Sequence, residues 1–277
     1  MQPIIHNPGE YEYKEYYIPK KNGTARRVFA PSAELLRIQR QAIPTLEAIL
    51  RNAEVIYDIP NVLQGFVKDR NPVTAATEHI GYQHTIMMDI TNFFDSVRKT
   101  HFPLRYWSQL PSKTRLLHIS KDNSPTFPPQ GFATSPLLAN IAITTIVSEI
   151  RKYLVQRFDR FAFTVYADDI QISINSEDFI KDTSRIIDIV TFLFGQAGFQ
   201  MNPHKTRIRH AKFGYRRILG VNVGDTDIRA TRKTMRKLRA AKHQKNGPSA
   251  GGLTTWSRCL LPKSRRPSPI TAQLRAT

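Results

Sequence analysis

Cysteine is almost missing from this chain: Cys259 is the only one in 277 residues. A single thiol excludes an internal disulfide and any multi-cysteine zinc site, and it suits a reducing cytoplasm. Long apolar runs are missing too. No stretch reaches eighteen apolar residues, so no membrane span is expected, and the N-terminus lacks the basic-then-apolar order of a signal peptide. The expectation is a soluble, cytoplasmic protein. No internal repeat is found. The most informative absence is local: no Asp or Glu follows Asp227, and residues 201–277 hold 19 Lys/Arg against 2 Asp/Glu, whereas residues 1–200 hold 22 against 20. Nearly all of the net charge of +19 therefore sits in the last quarter.

Within that basic quarter, residues 230–243 read as a helix. Arg232, Lys233, Arg236, Lys237, Arg239 and Lys242 cover its surface, leaving Met235 and Leu238 to pack. Solvated faces mix both signs, whereas a face of one sign repels itself unless a polyanion lies against it. If about eight cations contact phosphate, binding should fall with salt on a log–log slope of roughly −6 to −7. Gly247-Pro248-Ser249-Ala250-Gly251-Gly252 then breaks the helix, and Lys263 to Pro269 reads as a flexible basic tail. Between them Leu253, Trp256, Leu260 and Leu261 fit one short amphipathic helix, with Trp256 packing or stacking on a base. With 40% apolar residues the chain can bury one good core and a small appended module.

What is present upstream is a set of placed carboxylates. Tyr166-Ala167-Asp168-Asp169 separates Phe161-Ala162-Phe163-Thr164-Val165 from Ile170-Gln171-Ile172-Ser173-Ile174, which reads as a β-hairpin with two acids at its tip. Unit charges about 4 Å apart repel by on the order of 4 kcal/mol at an effective dielectric near 20, and a divalent cation removes that cost. Ordinary turn chemistry is the competing explanation. A third acid weighs against it. Thr85-Ile86-Met87-Met88-Asp89-Ile90 is a strand-like run ending on Asp89, followed by Thr91 and Asn92 as possible helix caps before Phe93-Phe94-Asp95. Pairing of this strand with the hairpin would bring Asp89 to Asp168 and Asp169, an all-oxygen set suited to two Mg²⁺ ions.

Four stretches in order carry a resemblance: Met87-Met88-Asp89 with Phe93-Phe94-Asp95, then Pro129-Gln130-Gly131-Phe132-Ala133-Thr134-Ser135-Pro136, then Tyr166-Ala167-Asp168-Asp169, then Gly198-Phe199-Gln200-Met201-Asn202-Pro203-His204-Lys205-Thr206. Together they resemble the successive palm motifs of reverse transcriptases. The segment from Ile18 through Lys20, Lys21, Gly23 and Arg26 to Pro31 resembles the opening of bacterial retron and group II intron enzymes. The resemblance implies an α+β right-hand polymerase: fingers over residues 1–84, a palm over 85–222 made of an antiparallel sheet with helices on one face, and a small helical thumb with its tail over 223–277. Residues 100–128 are the part of the palm that the fingers could claim.

Roles follow from the same resemblance. Asp89, Asp168 and Asp169 would hold the two Mg²⁺ ions, with the Ile90 carbonyl as an extra ligand. Phe94 would be the aromatic gate beneath the incoming sugar, a core Phe being the alternative. Gln130 and Gly131 would lie against the nascent base pair, since glycine lets a backbone approach closely. Ser135 as N-cap and Pro136 as first residue would then open a long helix. Arg26 would grip the triphosphate of the dNTP, with Lys20 or Lys21 as a looser second candidate. Lys205 would protonate the departing pyrophosphate, and the basic helix would grip the template duplex. His6, His101 and His118 carry no signal.

The subtype rests on two further marks. Retron enzymes commonly show Asn-Ala-x-x-His before the first catalytic strand and Val-Thr-Gly after the palm. Here the counterparts are Ala75-Ala76-Thr77-Glu78-His79 and Ile218-Leu219-Gly220, which keep the Ala, His and Gly. The expectation is an RNA-directed DNA polymerase of retron type, acting on a structured non-coding RNA that serves as template and primer and staying bound to its DNA product. An effector protein encoded nearby and a role in anti-phage defence belong to the same analogy. Other compact bacterial or group II intron-related reverse transcriptases, a template-independent or DNA-templated polymerase, and a non-catalytic RNA-binding scaffold are the alternatives.

Overall fold

The computed structural model describes residues 4–6, 13–20, 23–110 and 128–243. Lys21, His118, Cys259, the glycine-rich break, the short helix predicted around Trp256 and the basic tail lie outside the described residues.

The centre is a five-stranded antiparallel sheet. Strand β4 (His84–Thr91) pairs along one edge with β6 (Asp169–Ile174), which forms a hairpin with β5 (Phe161–Tyr166). Its other edge takes two short strands, β7 (Gln200–Met201) near the acid end and β8 (Arg207–His210) at the opposite end. The pleat sorts the side chains into two faces. Ile86, Met88 and Ile90 of β4, with Phe163, Val165, Ile170, Ile172 and Ile174 of the hairpin, form the main core with four helices. These are α1 (Ala33–Ile56), α5 (Ser135–Ala142), α6 (Thr144–Arg157) and α7 (Phe179–Gln196). The short helices α2 (Pro72–Thr77), α3 (Phe93–Ser96) and α4 (Leu104–Trp107) lie between α1 and α5 in the chain.

Two smaller sheets flank this unit. Strands β1 (Ile4–His6), β2 (Tyr13–Pro19) and β3 (Ala25–Pro31) form one. Strands β9 (Arg216–Ile218), β10 (Val221–Val223) and β11 (Ile228–Ala230) form the other, and its Ile218, Val221 and Val223 pack on Val73 and Ala76 of α2. The two retron-like marks, around Ala76–His79 and Ile218–Gly220, are thus packing partners. No helix among the described residues is long and apolar enough to cross a membrane.

Three local expectations need correction. The long helix predicted from Ser135 is two helices, broken at Ile143 where φ is −97° and ψ is 0°. Its cap position is Thr134 rather than Ser135, whose buried hydroxyl has no hydrogen-bond partner. The basic helix α8 (Arg232–His243) starts later than residue 230, because Ile228–Ala230 is taken up by pairing with β10 and Thr231 accepts from the Thr234 N–H. Asn92 does precede α3, yet it has φ +47° and its side chain caps nothing.

The other face of the main sheet is polar, which follows from the sequence Thr85, Thr164, Gln171 and Ser173 on the opposite pleat positions. His79 sits beneath it, fully buried, with Nδ1 hydrogen-bonded to Ser173 Oγ at 2.7 Å and Nε2 to Thr164 Oγ1 at 2.9 Å. Arg216 of β9, 1% exposed, donates to Thr85 Oγ1 and to the carbonyls of His79 and Gly224, each at 3.1 Å. Burial, reinforced by the Arg216 charge, pushes the His79 imidazole down to about 3. The imidazole therefore stays neutral in the fold, while in the unfolded chain it titrates near 6.5. Above that pH both states are neutral and nothing is lost. Below it the unfolded chain takes the proton first, and stability falls by about 1.4 kcal/mol per pH unit until the folded value is reached. Between pH 7 and pH 5 the protein should lose about 2 kcal/mol more in urea unfolding than His79→Gln, whose amide can still bond both hydroxyls.

Candidate active site

The acid hairpin closes with a two-residue turn. Tyr166 pairs with Asp169, leaving Ala167 and Asp168 at the bend, and Ala167 takes φ +55°, unusual for a residue with a Cβ. What holds it is a segment after α1 that sequence reasoning missed. The Val165 N–H donates to the Val62 carbonyl and the Gln64 N–H to the Val165 carbonyl, both at 2.8 Å, so residues 62–64 run parallel to the end of β5. Gly65 then presses on the turn so closely that a Cβ there would lie 2.6 Å from the Ala167 nitrogen. Asn140 of α5 donates to the Gly65 carbonyl at 2.8 Å. Arg70 pairs with Glu54 of α1 and also donates to the Leu63 carbonyl at 2.6 Å, fixing the segment from its other side. The lone sequence signal was a glycine in a short link after a helix.

Across the sheet Asp89 stands directly opposite Asp169, and the Ile90 N–H donates to the Asp168 carbonyl at 2.9 Å. The three carboxylates are gathered at one end of the polar face. Asp89 is 6% exposed and the other two are half-buried. Burial raises the Asp168 carboxyl, with Asp89 adding to it and Lys205 and Arg26 opposing. Burial, then Asp168 and Asp89, push Asp169 up to about 6, against the pull of Lys205. Lys205 sits on a 3-10 turn over Pro203–Lys205, positioned by the Asn202 N–H donating to the Asp89 carbonyl at 2.8 Å. Its Nζ donates to Asp89 Oδ1 at 2.6 Å, and that bond holds the ammonium above its usual range.

Among the described residues no group of three acidic, His or Cys side chains is drawn close enough to enclose a metal ion as it stands. The donor chemistry nevertheless fits a hard divalent cation. All the donors are carboxylate oxygens, burial together with mutual repulsion raises two of them, and the Lys205 ammonium already occupies one oxygen as a cation would.

The remaining predicted residues fall around this cluster. Arg26 lies exposed on β3, within electrostatic reach of Asp168. Lys20 acts on Asp95 instead, whose half-buried carboxyl is raised by burial against Arg27, Arg98 and Lys20. Phe94 is half-buried, tilted on Phe93 at 5.4 Å and edge-on to Phe66 at 6.5 Å. Gln130 and Gly131 are held by β3: the Phe29 N–H donates to the Gln130 carbonyl at 2.7 Å, and Gly131 has φ +109°. The close approach that demands a glycine here is to the Phe29 carbonyl, 2.2 Å from where a Cβ would stand. His101 is a satisfied histidine, bonded to the Ala197 carbonyl and accepting from the Arg98 N–H. On α8, Arg232, Lys233, Arg236, Lys237 and Arg239 are exposed, while Leu238 and Ala241 are buried.

Residues 18–237 match the family described as reverse transcriptase (RNA-dependent DNA polymerase). The chain is 26% identical over 261 residues to the Retron Mx65 reverse transcriptase of Myxococcus xanthus, covering 87% of this chain and 58% of that protein. It is 29% identical over 273 residues to the Retron Mx162 reverse transcriptase of the same organism, covering 86% and 54%. Against the Retron Ec86 reverse transcriptase of Escherichia coli the identity is 25%, covering 84% and 70%. The chain thus spans little more than half the length of the two Myxococcus relatives. Among solved structures, telomerase from Candida albicans with a fragment of telomeric RNA superposes with a TM-score of 0.58 at 11% identity, covering 79% of this chain and 46% of that one. Foamy viral protease-reverse transcriptase dRH with double-stranded DNA gives 0.52 at 16% identity, covering 95% and 39%. These likenesses show the fold, the right-hand polymerase fold expected from the motifs.

Two glycines separate backbone strain from steric clash. Gly23 has φ +82° with open space around it, so Gly23→Ala should cost about 1 kcal/mol in urea unfolding. Gly131→Ala adds a collision with the Phe29 carbonyl to the same strain and should cost about 2–4 kcal/mol.

Proposed function

We propose, from the premise that this chain belongs to the reverse transcriptase (RNA-dependent DNA polymerase) family, that it is an RNA-directed DNA polymerase of retron type working in the cytoplasm. The observation that carries the reading is the register that sets Asp89 against Asp169, with Asp168 at the turn and Lys205 on Asp89. On this reading residues 1–84 are the fingers, 85–222 the palm and 223–277 the thumb with its tail.

Asp89, Asp168 and Asp169 would hold two Mg²⁺ ions, with the Ile90 carbonyl as a further ligand. Bound there, Mg²⁺ supplies Lewis-acid activation of a primer hydroxyl and neutralises charge on the leaving pyrophosphate. The chain's own groups do the rest. Arg26 offers a rigid guanidinium fork to the dNTP triphosphate. Gln130 and Gly131 form the wall against the base pair, and Phe94 lies beneath the sugar, where a ribose 2′-OH meets the ring. Lys205, kept protonated by Asp89 and with a side chain 60% exposed, would give a proton to the departing pyrophosphate. The exposed cations of α8 track the phosphates of the template duplex.

Asp168→Asn and Asp169→Asn should each lose at least a hundredfold in Mg²⁺-dependent dNTP incorporation on an RNA template, with RNA binding retained. Primer extension and an RNA titration on the same preparations measure this, and substantial synthesis by both variants would overturn the metal site. Comparing RNA, DNA and no template identifies the template class.

The retron reading goes further. His79 and Gly220 fall at its motif positions, and the matched relatives are named retron reverse transcriptases. The chain would copy part of a structured non-coding RNA encoded beside its gene, start from a 2′-OH of that RNA, and serve anti-phage defence with an effector protein encoded nearby. DNA from cells expressing the locus should therefore shift in a denaturing gel after treatment with a debranching enzyme, which cleaves 2′,5′ linkages. An unbranched product with a 3′-primed start would exclude the retron subtype and leave the polymerase.

A further inference from the structure

Next to the acid hairpin the fold keeps an aromatic ring in an unfavourable position. Phe66 has φ +59°, a left-handed backbone that ring-bearing residues avoid, and it is 50% exposed. A fold that accepts both backbone strain and an uncovered ring at one residue points to a use for it, since such outliers concentrate at functional sites. The position is also rigid. The Gln64 N–H bond to Val165, the contact of Gly65 with the Ala167 nitrogen and the Asn140 bond to the Gly65 carbonyl fix the chain immediately before Phe66.

The ring spans the two aromatic residues at the acid end. Its centroid is 6.0 Å from that of Tyr166, the last residue before the acid turn, and 6.5 Å from that of Phe94, at an interplanar angle of 63°. Phe94 is thereby wedged. Phe93, buried and tied to Phe199, packs on it from the core, and Phe66, half exposed, meets it edge-on. Removal of Phe66 would leave Phe94 free to tip away from the core, and an edge-to-face partner is what holds a ring at a defined tilt.

We propose that Phe66 is a positioning residue for sugar discrimination: it holds the Phe94 ring at the height where a nucleotide's ribose 2′-OH collides and a deoxyribose does not. The inference rests on the reading of Phe94 as the ring beneath the incoming sugar. It names the second half of that device, on a loop far from Phe94 in sequence.

The test compares kcat/KM for a dNTP and its matching rNTP on one primer and template, using Phe66→Ala, Phe66→Tyr, Phe94→Ala and the double variant. Phe66→Ala should lower the dNTP-to-rNTP ratio by about tenfold, the scale of one lost aromatic contact, mainly through a lower KM for the rNTP. Phe66→Tyr, which keeps the ring, should restore the ratio. The double variant should be no more relaxed than Phe94→Ala, because Phe66 acts through Phe94. An unchanged ratio in Phe66→Ala beside a relaxed Phe94→Ala would overturn the proposal and leave the gate in place. Unchanged ratios in both would remove the gate itself. Additive effects in the double variant, or equal losses in Phe66→Tyr and Phe66→Ala, would also overturn it. Should Phe66→Ala fail to fold, Phe66→Leu is judged by the same ratio.

Discussion

The acid end depends on the register between β4 and β6. Like charges directly opposed on neighbouring strands destabilise the ladder, so Asp89 facing Asp169 would favour a slip if the strands were free to choose. They are not free. The same register places Ile86 on Ile172 and Met88 on Ile170, with all four side chains buried, and moving one strand by one residue would turn its apolar set onto the polar face. Hydrophobic burial on the helix side thus compresses the carboxylates on the other. Lys205 relieves part of the repulsion through Asp89, while burial first and the neighbouring carboxylates second keep Asp168 and Asp169 raised.

Much of this was legible in the sequence wherever the signal was local. The acid hairpin, its alternating downstream arm and the strand that carries Asp89 are short-range patterns; both hairpin arms lie within a residue of their expected bounds, while the strand runs on past Asp89 to Thr91. The single-sign surface of the basic helix was readable because charge spacing survives any error in the start of the helix. Long-range contacts left no such trace. Nothing near Gly65 announces that residues 62–65 will brace a turn a hundred positions later, and Arg216 reads as one more cation in a basic stretch although it is buried beneath the main sheet. The break at Ile143 was hidden because no Gly or Pro stands between Leu137 and Arg157, so the apolar periodicity ran on without a stop signal.

His79 shows how a resemblance and a structure answer different questions. As a motif position it marks a subtype. In the fold it is a neutral, fully bonded imidazole linking β5 and β6 to the segment that carries α2, and α2 packs on the β9–β11 sheet leading into the basic helix. The polar face therefore does two jobs along its length, ending in the carboxylate cluster at one side and in a closed network at the other.

The contact between Gly131 and Phe29 has a mechanical consequence. Strand β3, which carries Arg26, is joined to the loop before α5 by the Phe29–Gln130 bond, by a backbone contact with no room for a Cβ, and by the ring cluster of Tyr13, Phe29 and Phe132. Gln39 of α1 accepts from the Ala133 N–H at 3.0 Å and ties in a third element. These parts cannot slide independently. A displacement of the arginine-bearing strand would therefore carry the Gln130–Gly131 turn with it, so Arg26 and that turn keep a fixed spacing, like two jaws cut from one piece.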